Sequence, residues 1–229
     1  MSTSAERQTY HHRDLRAALL REAVGAVDSG GAGAFSLREA ARSLGVSPAA
    51  AYRHFASKAD LMAAVIDGEF GELADEIDAA WDAVRGMSRR DDEGRAAGMV
   101  LAAATIYVRR ALRYPERFHL ALGASRDEIG PGEQRTRDIS SALRVGLVES
   151  GAIAPAMLPA ASWTIWPAVH GLASLAADGW LLDEPQCDEG ARAVVETVLR
   201  GLGVPEKALG QMDRMAPVIA RPSNRDGGI

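Results

Sequence analysis

The chain has 229 residues, 47% of them hydrophobic, with a formal net charge of −5, so it can bury one or two domain cores and is not a chain disordered throughout. Its one cysteine, Cys187, excludes an intramolecular disulfide and a cysteine-based zinc site, and fits a structural thiol in a reducing cytoplasm. No apolar run approaches the roughly 18 residues of a membrane span, and the polar start MSTSAERQTYHHRD has no signal-peptide core.

Alternating strand patterns are almost absent, and alanine and leucine recur at helical spacing, which predicts an all-α fold. In the first helix Leu15, Ala18, Leu19, Ala23, Ala26 and Val27 share a stripe, and Gly30-Gly31-Ala32-Gly33 ends it. Ser36 caps a second helix, with Glu39 completing a capping box. Gly45 makes a turn that Val46 plugs. Ser47 caps a third helix with Pro48 at its first position, where a missing N–H costs nothing. Ser57, with Asp60 three residues on, starts a fourth helix running to about Val84.

A polar loop, 86–94, leads to a helix from about Arg95 to Tyr114, stopped by Pro115. A short helix over 116–122, a loop over 125–132 and a long helix over 133–150 follow. Pro159 opens a helix predicted to reach 183, and 189–202 is the last strong one. Residues 205–215 add a turn or two, and the tail 216–229 is expected to be disordered. The expected domains are therefore 1–56, a compact three-helix unit, and 57–215, a larger helical body.

The stretch SLREAARSLGVSPAAAYRHF, Ser36 to Phe55, has the outline of a helix-turn-helix, whose second helix enters the major groove of DNA. A helix that lies on the groove floor needs short leading residues, and Ala49, Ala50 and Ala51 supply them. A small apolar side chain there suits a thymine methyl. Ser47, at the positive helix end, suits a phosphate, with Pro48 beside it. Tyr52, Arg53, His54 and Lys58 suit the phosphate backbone, and Arg38 and Arg42, one turn apart, suit the flanking strand. Phe55 reads as core. Charge agrees: residues 1–60 hold eight Arg and Lys against six Asp and Glu, while the remainder holds 18 against 25.

The segment from Leu15 to Val65, above all GVSPAAAYRHFASKADL, resembles the N-terminal domain of the TetR/AcrR family of bacterial transcriptional regulators. The resemblance implies that Ser36–Leu44 is the positioning helix, Ser47–His54 the recognition helix, and Tyr52, His54 and Lys58 phosphate-holding positions. The leading YHHRDLRAALL resembles a start found in one branch of the family, with Arg13 in place of its usual glycine. SWTIWPAVHGLASLA resembles the WHG-type C-terminal domain of one branch through Trp163, Trp166, Val169, His170 and Gly171. The family's dimer interface then falls on the helices over 159–183 and 189–202, on faces holding Leu172, Leu175, Ala176, Val194, Val195, Val198 and Leu199. A homodimer on a double-stranded, pseudo-palindromic operator is implied.

Trp163, Trp166 and His170 lie three and four residues apart on one helical face. Their N–H groups need partners, so they suit a pocket for a small, largely apolar effector as well as they suit core or a subunit contact. Met99, Tyr107, Phe118 and His119 are further pocket candidates, and Ala168 and Gly171 allow close helix approach. The expected function is a ligand-responsive cytoplasmic repressor. A ligand-blind or partner-regulated DNA-binding factor with a solid core is the alternative. An all-helical enzyme is a remote third: the chain has no HExxH, no pair of ExxH helices and no glycine-rich phosphate loop. No catalytic residue, cofactor or metal is expected.

Overall fold

A computed structural model describes residues 4–85, 92–123, 130–181 and 183–212, with side chains from Leu15 onward except Ala83 and Arg85. The described residues form ten α-helices and no strand: α1 (Ser4–Gly30), α2 (Leu37–Ser43), α3 (Pro48–Tyr52), α4 (Lys58–Arg85), α5 (Asp92–Arg113), α6 (Pro115–Gly123), α7 (Pro131–Glu149), α8 (Leu158–Ala177), α9 (Glu184–Gly201) and α10 (Glu206–Met212). Short 3₁₀ turns at Ala32–Ala34 and Pro155–Met157 precede α2 and α8. No helix among the described residues is long and apolar enough to cross a membrane. The expected disordered tail, 216–229, and most of both polar loops lie outside the described residues.

Packing divides the chain into two units, Met1–Glu69 with Glu116–Gly130, and Phe70–Pro115 with Pro131–Ile229. The first therefore includes α6 and the start of α4 besides α1 to α3. Its core gathers Leu19, Ala23 and Val27 of α1, Leu37, Ala40 and Ala41 of α2, Ala51 of α3, and Leu61, Met62 and Val65 of α4 around Phe35 and Phe55. Leu120 of α6 borders this cluster. Two ion pairs fix α6 to it: Arg117 donates to Asp28 Oδ2 at 2.6 Å and to Glu69 Oε2 at 3.3 Å.

In the second unit α5 lies among α7, α8, α9 and α10. Its run of buried Ala and Gly lets these neighbours approach closely. Leu73, Ala74, Ile77 and Trp81 of α4 form a cluster with Ala103 and Ile139, and Trp81 Nε1 donates to the Met99 carbonyl at 3.4 Å. Arg110 is only 6% exposed and is neutralised by Glu72 and Glu76.

Several boundaries differ from the sequence reading. α8 stops at Ala177 because Gly179, at φ 79°, turns the chain: Trp180 N–H reaches the Leu175 carbonyl and Gly179 N–H the Ala176 carbonyl. α9 starts at Glu184, five residues earlier than expected, because Asp183 caps it by accepting from Gln186 N–H at 2.9 Å. Pro185 is no obstacle in the first turn, where its missing N–H has no helical acceptor. The close helix approach expected at Gly171 occurs instead at Gly190, where a Cβ would stand 3.2 Å from a Leu172 methyl; nothing lies within 4 Å of a Cβ at Gly171.

Candidate nucleic-acid interface and effector region

Three serine caps set the geometry of the helix-turn-helix. Ser36 Oγ accepts from Glu39 N–H at 3.4 Å, Ser47 Oγ from Ala50 N–H at 3.3 Å, and Ser57 Oγ from Asp60 N–H at 3.1 Å. Each satisfies one donor that a helix start leaves without an internal partner. Between α2 and α3, Gly45 adopts φ 69° and Val46 N–H returns to the Ala41 carbonyl at 2.9 Å. A side chain with a Cβ is strained in that left-handed turn, which is why glycine stands there.

α3 rests on the core through Ala51, which is fully buried, while Ala49 is exposed and Ala50 half-buried. Of the three expected floor residues, Ala51 is therefore an anchor and cannot touch a base. Phe55 closes the core below α3, with the Arg16 guanidinium 4.9 Å from its ring centroid. Tyr52 is 41% exposed, and Arg53, Ser47, Arg38 and Arg42 are exposed as well. Lys58 is half-buried and donates to the Gly33 carbonyl at 3.2 Å, leaving two of its three N–H donors unspent. His54 and Pro48 are half-buried beside them.

Several arginines outside this surface are held in ion pairs. Arg109 meets Asp188, Arg113 meets Glu184, Arg117 meets Asp28, Arg135 meets Asp75 and Asp78, and Arg200 meets Glu196 and Glu206. Arg38, Arg42 and Arg53 meet no carboxylate among the described residues. Their charge stays available to an external polyanion. The sequence identifies these arginines as cations but is silent on their lack of partners.

The effector candidates divide between the units. Tyr107, Trp166 and His170 meet in the second: Tyr107 Oη and His170 Nδ1 share a 2.8 Å hydrogen bond, and the Trp166 and His170 rings stack with centroids 4.5 Å apart. Met99 borders the same apolar cluster as Tyr107. Phe118 and His119 lie on α6 in the first unit, Phe118 buried and His119 exposed. Trp163 is 81% exposed. An apolar crevice in the second unit is lined by Val100, Ile165, Val169, Val194, Val195, Val198 and Leu199, and it is too narrow to hold a water molecule.

The apolar faces expected at a subunit contact are mostly turned inward. Ala176, Val195 and Leu199 are buried within the unit, and Val194 and Val198 line the crevice. On α8 and in the turn after it, Trp163, Trp166 (46% exposed), Leu175 (45%) and Trp180 (75%) are left outside.

No curated protein matches the chain significantly. Solved structures do. One is a protein of unknown function from Rhodococcus sp. RHA1, 28% identical, with a TM-score of 0.67 over 82% of this chain and 95% of that one. Another is AmtR of Mycobacterium smegmatis, 21% identical, with a TM-score of 0.54 over 90% and 92%. A third is RolR in complex with resorcinol, 17% identical, with a TM-score of 0.53 over 93% and 97%. The last two establish a shared fold. Residues 19–65 match the family model of bacterial regulatory proteins of the tetR family. Residues 100–199, which include the WHG-like segment, match the tetracyclin repressor-like C-terminal domain. The two matches together span more than half of the chain, and with the exposed, unpaired cations of the helix-turn-helix they identify it as a DNA-binding transcriptional regulator of the TetR family.

Proposed function

We propose that this regulator is a cytoplasmic homodimeric repressor that releases a pseudo-palindromic operator when a small, largely apolar effector binds the helical body. In this reading residues 1–56 read DNA, and 57–215 bind effector and partner. Ala49 and Ala50 face base edges, Ser47 and Pro48 lead the helix in, and Arg38, Arg42, Tyr52, Arg53, His54 and Lys58 hold phosphates. The observation that carries the reading is that the exposed Arg38 and Arg42 of α2 and Arg53 at the end of α3 meet no carboxylate among the described residues.

Dimerisation is supported by α8. Its Trp163 and Trp166 are exposed on one flank and Leu175 near its C-terminal end, with Trp180 exposed in the turn that follows. These four side chains offer roughly 400–500 Å² per copy, about half of what one side of a stable interface needs. Two reading heads also convert two weak half-site contacts into one specific complex.

For the effector, RolR's resorcinol complex is a small aromatic precedent on the same fold, and the Tyr107–His170–Trp166 group offers polar handles beside apolar surface. Met99, which borders the same apolar cluster as Tyr107, joins this candidate set. The effector need only favour the non-operator form. About 100-fold differential affinity per site is ~2.7 kcal/mol, enough to release DNA. α4 contributes to the cores of both units and is the element through which the change passes.

The test is binding of the purified protein to DNA from its own upstream region, against unrelated DNA and across a salt series. Absence of both sequence preference and salt dependence refutes the proposal. The tight closure of that crevice favours a second reading, a ligand-blind regulator with a filled core. A library of apolar metabolites that shifts neither melting temperature nor DNA affinity selects it.

A further inference from the structure

We propose that the flank of α7 carrying Ser140 and Arg144 is an anion site that receives the carboxylate of a small organic acid, the effector. The inference rests on the ligand-responsive reading above and adds the chemical class.

Arg135 and Arg144 stand nine residues apart on α7, about two and a half turns, and so lie on opposite flanks. Arg135 is exposed and tied to Asp75 and Asp78 of α4. Arg144 is half-buried, and its bonded partner is a hydroxyl: Nη1 donates to Ser140 Oγ at 2.7 Å. No carboxylate among the described residues meets it, whereas Arg95, Arg109, Arg110, Arg113, Arg137 and Arg200 of the same unit each have one. Arg16, Arg21, Arg38, Arg42 and Arg53 also meet no carboxylate among the described residues, but all five are exposed, whereas Arg144 is half-buried.

The chemistry is complete but for the anion. Burial without a counter-charge lowers the Arg144 pKa from the ordinary guanidinium range. A partly desolvated cation is stabilised by an anion more than an exposed one is. The guanidinium has five N–H donors, and the bond to Ser140 leaves a fork free for a bidentate carboxylate. Ser140 accepts from Arg144, so its own hydroxyl hydrogen is available to the same acid. Leu143, the adjacent residue, borders the apolar cluster that Met99 and Tyr107 also border, where the body of the acid finds apolar surface.

The test uses the full chain with benzoate, phenylacetate and hexanoate, each against its primary amide, in titration calorimetry and operator-release assays. The acids are expected to bind roughly 10–100-fold more tightly than their amides, the range of one charge-assisted hydrogen-bond set. Arg144→Met keeps the aliphatic stem and is expected to abolish that preference while amide affinity stays; Ser140→Ala reduces it in part. Acids that bind no better than amides, acids that do not bind at all, or a preference that survives Arg144→Met each overturn the proposal. If neutral compounds alone bind and release DNA, the anion site falls and the effector reading stands. If the acids bind through Arg144 without releasing DNA, the anion site stands and the effector reading falls.

Discussion

The pairing of charges makes a quantitative prediction about salt. Each reading head exposes Arg38, Arg42 and Arg53 without internal partners, and adds the spare donors of Lys58. A dimer then neutralises about eight phosphates, so log K should fall against log salt with a slope of about −7. Raising salt from about 50 to about 200 mM should weaken operator binding by roughly 10⁴-fold. Replacing Arg38 and Arg42 by Gln removes about four of those contacts, and the slope should shrink to about −3.6, leaving a loss of roughly 150-fold over the same range. Arg200→Gln is the control, because Glu196 and Glu206 already neutralise that guanidinium. Fluorescence anisotropy with a labelled operator duplex at five or six salt concentrations measures all three slopes. An unchanged slope in the double variant, or an equal loss in the control, refutes the assignment of the unpaired arginines to phosphate.

Other consequences are simpler to read. Phe55→Ala empties the core under α3, where Phe55 is 4% exposed; it should cost about 3–5 kcal/mol in urea unfolding and abolish operator binding. Ser47→Ala removes the α3 cap and should cost about 1 kcal/mol, with Ser47→Asn restoring most of it. Trp163→Ser combined with Trp180→Ser should convert the dimer to monomer in sedimentation while leaving the helical circular dichroism intact. A dimer that persists excludes Trp163 and Trp180 from the subunit contact. Cys187 is fully buried, and burial raises its thiol to about 11, with Asp188, Asp183 and Glu184 adding to the effect. A raised pKa keeps the thiol protonated, so at pH 8 only about 0.1% is thiolate. A disulfide reagent should therefore label the native protein far more slowly than the urea-unfolded chain, with the gap closing towards pH 11.

Much of this protein is legible in local sequence. Cap residues, glycine turns and the 3.6-residue period act over a few residues, so SLREAARSLGVSPAAAYRHF discloses its helices and its turn without any distant contact. The tertiary structure decided what periodicity cannot express: what covers each apolar face, and which charges are already spent. Val195 and Leu199 make as plausible a subunit face as Trp163 and Trp180, yet the valine and leucine are buried and the tryptophans are not. Ala51 looks like Ala49 and Ala50 in the sequence, but the core claims it. α6 joins the DNA-reading unit through Arg117 and Asp28, 89 residues apart, a pairing no local pattern contains. Burial and ion pairing depend on chain segments far apart in sequence, so both the open arginines around α3 and the half-buried Arg144 emerge only when the chain is folded.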